Sequence, residues 1–153
     1  MIQSHIVFCV SVFRLVHIFG MGVAGADGAE EAVLITGGTS TEHSAQVFLP
    51  ATGWSCRLPD LPDDRWLHTQ DGGLACGGYG GQNQGTSCLR WSPDSGTWTL
   101  SHNLTEERDN HVSWTPDPSL GTYLLGGSHN SRTTELVKPE GSVEQGFYLK
   151  HTE

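Results

Sequence analysis

The residues with most chemistry to offer are the four cysteines, the eight histidines and the glycine-rich run Gly77-Gly78-Tyr79-Gly80-Gly81. Cys76 and Cys88 bracket residues 77–87, so if the flanking segments pair as a hairpin the two thiols face each other at disulfide distance. Cys56 can pair with either of them, with another segment or with a partner chain. Cys9 lies in the N-terminal stretch treated below; the three that remain are an odd number, and one bridge plus one unpaired thiol is the simplest expectation. Thiols and imidazoles also bind zinc, but no C-x-x-C or H-x-x-x-H spacing occurs, so no metal site or cofactor is expected.

The other reactive side chains point to structure before catalysis. His68 and His111 belong to one repeated pattern, which argues for a hydrogen bond made in every repeat rather than for a single active site. Arg65 and Arg108 read the same way, with Asp63, Asp64, Glu106 or Glu107 as nearby counter-charges. No G-x-S-x-G elbow is present, and without one scattered Ser, His and Asp define no nucleophile. The glycine run has the composition of a phosphate cradle but no helical pattern after it, so it reads as a loop. The chain carries a formal charge of -9 spread over turns and strand ends. A solvated acidic surface excludes the basic stripe that nucleic acid requires.

These residues need short strands to hold them. Twenty glycines, five tryptophans and no long apolar-periodic stretch after the N-terminus indicate an all-β chain of tight turns within its 153 residues. Three apolar segments each end in a glycine pair, at Gly37-Gly38, Gly77-Gly78 and Gly126-Gly127. Residues 32–36, 45–49 and 54–58 read as the strands of a first unit. A second unit runs through 66–70, 73–76, 87–91 and 97–100, and a third through 111–115, 121–125, 133–137 and 147–150. The pattern L-x-x-x-R-x-x-H occurs twice, as Leu61, Arg65, His68 and as Leu104, Arg108, His111, displaced by 43 positions. Trp54 follows Gly38 by 16 positions, Trp98 follows Gly78 by 20, and Phe147 follows Gly127 by 20. A period of this size with about four strands per unit is the mark of a β-propeller blade.

Residues 1–26 differ from the rest, with no acidic residue, Arg14 as their one formal charge and Ala24-Gly25-Ala26 at their end. This fits a secretory signal peptide cleaved after Ala26, an uncleaved membrane anchor being the alternative. Export makes Asn103-Leu104-Thr105 an N-glycosylation candidate at Asn103 and is in keeping with disulfide formation.

The glycine pairs, the aromatic residue 16 to 20 positions later and the R-x-x-H lead-in together resemble kelch repeats. The resemblance covers residue 32 to the C-terminus and implies a β-propeller of four-stranded antiparallel blades. About three blades are present, in units of about 32–62, 63–105 and 106–153 within a repeat region spanning 27–153, the first lacking its leading strand. Rings of this kind usually close with at least ~4 blades. A partial propeller is therefore expected: a piece of a longer chain, a diverged partial copy, or a chain that completes its ring by self-association through open blade edges. The resemblance implies a secreted protein-interaction or ligand-binding module without catalysis of its own, with a protein or glycan as ligand. Contacts would come from residues 39–44, 79–86 and 128–133, which include His43, Tyr79, Gln82, Asn83, His129 and Asn130. Two other members of the fold set the alternatives. One is a fragment of a galactose-oxidase-like enzyme, whose copper ligands are not matched here. The other is an intracellular kelch adaptor of a ubiquitin ligase, which needs a recruiting domain.

Overall fold

In the computed structural model, residues 33–38, 43–71, 73–80, 84–128 and 132–150 are described. The leader expected over residues 1–26 lies outside them, as do Gln82, Asn83, His129 and Asn130.

The described chain is all-β, as expected, with one short 3-10 turn at Gln84–Thr86. Strands β1 (Val33–Thr36), β2 (Ala45–Leu49) and β3 (Trp54–Arg57) make a three-stranded sheet in that order. A two-stranded ribbon follows, β4 (Arg65–Trp66) with β7 (Tyr79–Gly80). The second large sheet has the order β5 (Thr69–Asp71), β6 (Leu74–Cys76), β8 (Ser87–Ser92), β9 (Thr97–Asn103). The third is β10 (Val112–Asp117), β11 (Gly121–Leu125), β12 (Thr134–Val137), β13 (Val143–Gln145). Every pairing is antiparallel, which loops this short favour because hairpins need few residues to reverse the chain.

The sheets pack face against face in chain order. Leu34, Ala45, Val47 and Leu49 of the first sheet are buried with Leu58 against Trp91 of the second, with Trp98 packed alongside. Trp98 also donates its indole N–H to the carbonyl of Pro59, 3.0 Å away. Leu74, Cys76 and Cys88 on the opposite face of the second sheet meet Leu124 and Val137 of the third, with Leu104 between them. Alternation along each strand makes this two-sided packing available: Leu89 and Trp91 point one way, Cys88 and Arg90 the other. Each small sheet buries its faces only by stacking on a neighbour.

Two expectations need correction. The lead strand of the second unit is not continuous over 66–70; it breaks between β4 and β5 because Leu67 has φ 55°. The outer strand of the third unit is Val143–Gln145, not 147–150. There the carbonyls of Ser142 and Lys138 accept from the amides of Lys138 and Gly141, closing a tight turn at residues 138–142 where a longer one was expected. Val143 pairs with Val137, as Trp98 pairs with Trp91. Phe147 therefore does not occupy the Trp98 position; it lies outside the strands and packs on Tyr123 with ring centroids 5.9 Å apart. Its equal distance from the glycine pair arises because Thr133 follows Gly127 by 6 positions while Ser87 follows Gly78 by 9, and Val143 follows Val137 by 6 while Trp98 follows Trp91 by 7.

Candidate binding end of the sheets

The glycine pairs mark one end of the stack. In each large sheet the amide of the first glycine closes onto the start of the next strand: Gly37 to Ser44, Gly77 to Ser87 and Gly126 to Thr133, at 2.8, 3.0 and 3.1 Å. The amide of the second glycine reaches the lead-in of the following unit, Gly38 to the carbonyl of Arg65 (3.3 Å) and Gly78 to that of Arg108 (2.8 Å). The approach excludes any side chain: a Cβ on Gly77 would lie 2.3 Å from the Arg108 carbonyl oxygen, and one on Gly78 2.8 Å from His68 Cβ. Positive φ at both, 63° and 99°, adds a second reason for glycine.

Each member of L-x-x-x-R-x-x-H then has a mechanical role. Leu61 and Leu104 are buried and donate their amides to the carbonyls of His43 and Thr86, both 2.6 Å away. Arg65 and Arg108, each with 0% exposure, brace two sheets at once. Their carbonyls hold the preceding glycine pair, and their guanidiniums reach into the following sheet. Arg65 donates to the carbonyls of Gly77 (2.9 Å) and Ser87 (2.8 Å) and to both carboxylate oxygens of Asp63. Arg108 donates to the carbonyls of Gly126 (2.8 Å) and Thr133 (3.1 Å), to Glu106 (3.0 Å) and to Glu135 (2.7 Å). Glu135 is 1% exposed and had no signature in the sequence. It also accepts the amide N–H and the hydroxyl of Thr105.

His68 shares a hydrogen bond with the Thr36 hydroxyl (2.7 Å) and His111 with that of Thr69 (2.9 Å), each joining its unit to the one before. The Nδ1 atoms of both are buried with no hydrogen-bond partner. Burial, helped by the adjacent Arg65 and Arg108 guanidiniums, lowers both imidazoles to about 4. They are neutral at pH 7, which suits a hydroxyl partner and excludes a standing positive charge.

Several side chains at this end that do not repeat are exposed. His43, 53% exposed, bonds through Nδ1 to Asp64 (3.0 Å) and lies 3.9 Å from Asp60. Tyr79, 57% exposed, stands over Trp66 with ring centroids 5.6 Å apart, held there by the β4–β7 ribbon. Leu67 beside them is 54% exposed. Gly80 allows this closeness, since a Cβ there would meet the Asp64 carbonyl at 2.1 Å. The surface continues to the third unit through Asn110 N–H to Leu67 O (2.8 Å) and Ser128 N–H to Asp109 O (3.0 Å). Asn110, like Leu67, is left-handed, with φ 51°.

Cys76 and Cys88 form a buried disulfide across β6 and β8, directly opposite in register and 4.1 Å apart at Cα. Cys56 is disulfide-bonded too, and no cysteine among the described residues is free. The expected unpaired thiol is thus overturned. Asn103 is exposed at the end of β9. Among the described residues no cluster of His, Cys, Asp and Glu could hold a metal ion, and no helix is long and apolar enough to cross a membrane. No family model matches the chain, and no curated protein is similar to it.

Proposed function

We propose that the chain is an extracellular interaction module of kelch-like repeats, its stacked sheets acting as consecutive blades of a propeller. Its ligand, a protein or glycan, is held at the glycine-pair end. The observation that carries the reading is the division of labour at that end: repeated residues are buried and bonded, while His43, Asp64 and Tyr79 are exposed around a rigid base, with half-buried Trp66 beneath Tyr79. Rigid scaffolds with exposed, non-repeating loop residues are where binding specificity resides. A tilted Tyr over a Trp offers a flat apolar face with a polar rim, suited to a sugar ring or an apolar side chain. Disulfide bonding supports an oxidising compartment, and the N-terminal apolar segment supplies the route there.

The test is saturable binding of the purified fluorescent chain to intact cells, repeated with Tyr79→Ser and His43→Ala and after enzymatic removal of cell-surface glycans. Loss of binding in the variants with unchanged thermal stability is expected, and glycan removal separates the two ligand classes. Saturable binding that both variants retain in full would sink the assignment to this end.

A further inference from the structure

The three large sheets can be aligned on the bond from each first glycine to the following strand, which makes Ser44, Ser87 and Thr133 equivalent. In that register Ala45, Cys88 and Thr134 correspond, as do Val47, Arg90 and Leu136 two residues on. The face bearing the first two sets is the one that the first sheet packs on the second and the second packs on the third. Among the described residues no sheet lies against the same face of the third sheet, where only Thr134 is covered, by Gly146 and Phe147. That face carries Val112 (60% exposed), Trp114 (51%) and the partly buried Tyr123, Leu125 and Leu136. Trp114 stacks on Tyr123 at 5.8 Å, and Phe147 (50% exposed) extends the row. At the other end of the stack, the first sheet exposes the face opposite to Leu34 and Val47. It carries Val33 (38%), Ile35 (43%) and half-buried Phe48, in the positions where the second sheet has Ala75 and Trp91 and the third has Leu124 and Val137.

The described sheets thus contain the same face-to-face junction twice and leave one half of it exposed on the first sheet and the other half on the third. We infer that copies associate head to tail, the β10–β13 face of one copy receiving the β1–β3 face of the next. The junction is heterologous, so association either closes a ring or extends into a chain of copies. A second copy is the occupant the structure favours, because it brings the opposite half of a junction already made twice in the chain, whereas an unrelated partner would have to reproduce that shape. Apolar side chains this exposed and this contiguous are the mark of an interaction surface.

Sedimentation of the full chain with Trp114→Glu, with Ile35→Glu and with their mixture tests this, since each change sits on an exposed side chain and leaves the internal junctions untouched. The wild-type chain is expected to run at twice the monomer mass or more at micromolar concentration, and each variant alone as a monomer. The mixture is expected to form a 1:1 pair, because one variant keeps a working β10–β13 face and the other a working β1–β3 face. A wild-type chain that stays monomeric overturns the inference. So does an Ile35→Glu chain that still self-associates, which would mean that like faces pair. Concentration-dependent protection of amides at 33–35 and 112–114 from hydrogen exchange gives an independent reading; unchanged exchange at either site counts against the junction.

Discussion

Arg65 and Arg108 form an internal control, since their guanidiniums occupy equivalent pockets that differ in one buried group. Replacing Arg65 by Met strands the carbonyl of Gly77 and leaves that of Ser87 with only the Gly77 amide. An unsatisfied buried acceptor costs ~1–3 kcal/mol, so Arg65→Met should lose a similar amount. Its carboxylate partner Asp63 has 30% of its side chain exposed and can turn to water. Arg108→Met strands the carbonyl of Gly126 in the same way, leaves that of Thr133 with only the Gly126 amide, and also strands Glu135, whose side chain is 1% exposed. Removing one member of a buried ion pair typically costs ~3–5 kcal/mol, because the remaining charge has lost its counter-charge without regaining water. Arg108→Met should therefore exceed Arg65→Met by about 1–2 kcal/mol.

Urea unfolding, followed by tryptophan fluorescence and far-UV circular dichroism, measures the difference. With a slope of ~1–1.5 kcal/mol per molar, it separates the two midpoints by about 1 M. Adding Glu135→Gln to Arg108→Met should recover most of the excess, since the amide oxygen can still accept from Thr105 while carrying no charge. Coincident midpoints for the two arginine variants, together with no recovery from Glu135→Gln, would refute the assignment of the excess to the stranded carboxylate.

Acid should destabilise the fold through His68 and His111. Both titrate near 4 when folded against an ordinary value of 6.5, so the unfolded chain binds more protons between those limits. Their stabilising effect is complete above pH 6.5 and is lost as pH falls toward 4, at up to roughly 3 kcal/mol per histidine. Midpoints measured at pH 7 and 5 should fall less for His111→Gln than for wild type; an identical fall discounts the imidazole. Cys76→Ser with Cys88→Ser opens a cross-link of sequence separation 12 and should cost about 3 kcal/mol, visible as a lower melting temperature without loss of the far-UV β signal. Leu67→Asn should raise stability by roughly 0.5–1 kcal/mol, because Leu67 is mostly exposed at φ 55° and Asn tolerates the left-handed region that Leu resists. Unchanged or lower stability would show that the leucine side chain contributes more than its exposure implies.

The parts of this fold legible in the sequence are those that every unit must repeat. Gly77-Gly78 and Arg65 stood out because a backbone approach that admits no Cβ and a guanidinium that must reach two carbonyls leave no other residue type, so the same letters recur. Glu135 stayed hidden because its counterpart in the second unit is Leu89: the pocket of Arg108 was finished with a carboxylate from across the sheet, while that of Arg65 was finished from Asp63 nearby. Leu67 was equally unreadable. A leucine carries no sign of positive φ, and only Asn110 in the same position of the next unit, a residue that accepts it, hints at the conformation. The outer strand at Val143–Gln145 is not legible from aromatic spacing, because the distance from the glycine pair includes a loop whose length differs between units.

The same logic separates structure from binding. Any residue that recurs at the glycine-pair end is consumed by the junction between sheets: Arg108 by five guanidinium hydrogen bonds, His111 by Thr69, Gly78 by a carbonyl. A side chain so committed cannot also meet a ligand without loosening two sheets. What remains for recognition are residues that the units do not share. Tyr79 follows Gly78 where Ser128 follows Gly127, and His43 precedes Ser44 where Thr86 precedes Ser87. Both are more than half exposed on a backbone fixed by its neighbours. Repetition therefore marks the scaffold, and the break in repetition at Tyr79 and His43 marks where a ligand would be distinguished.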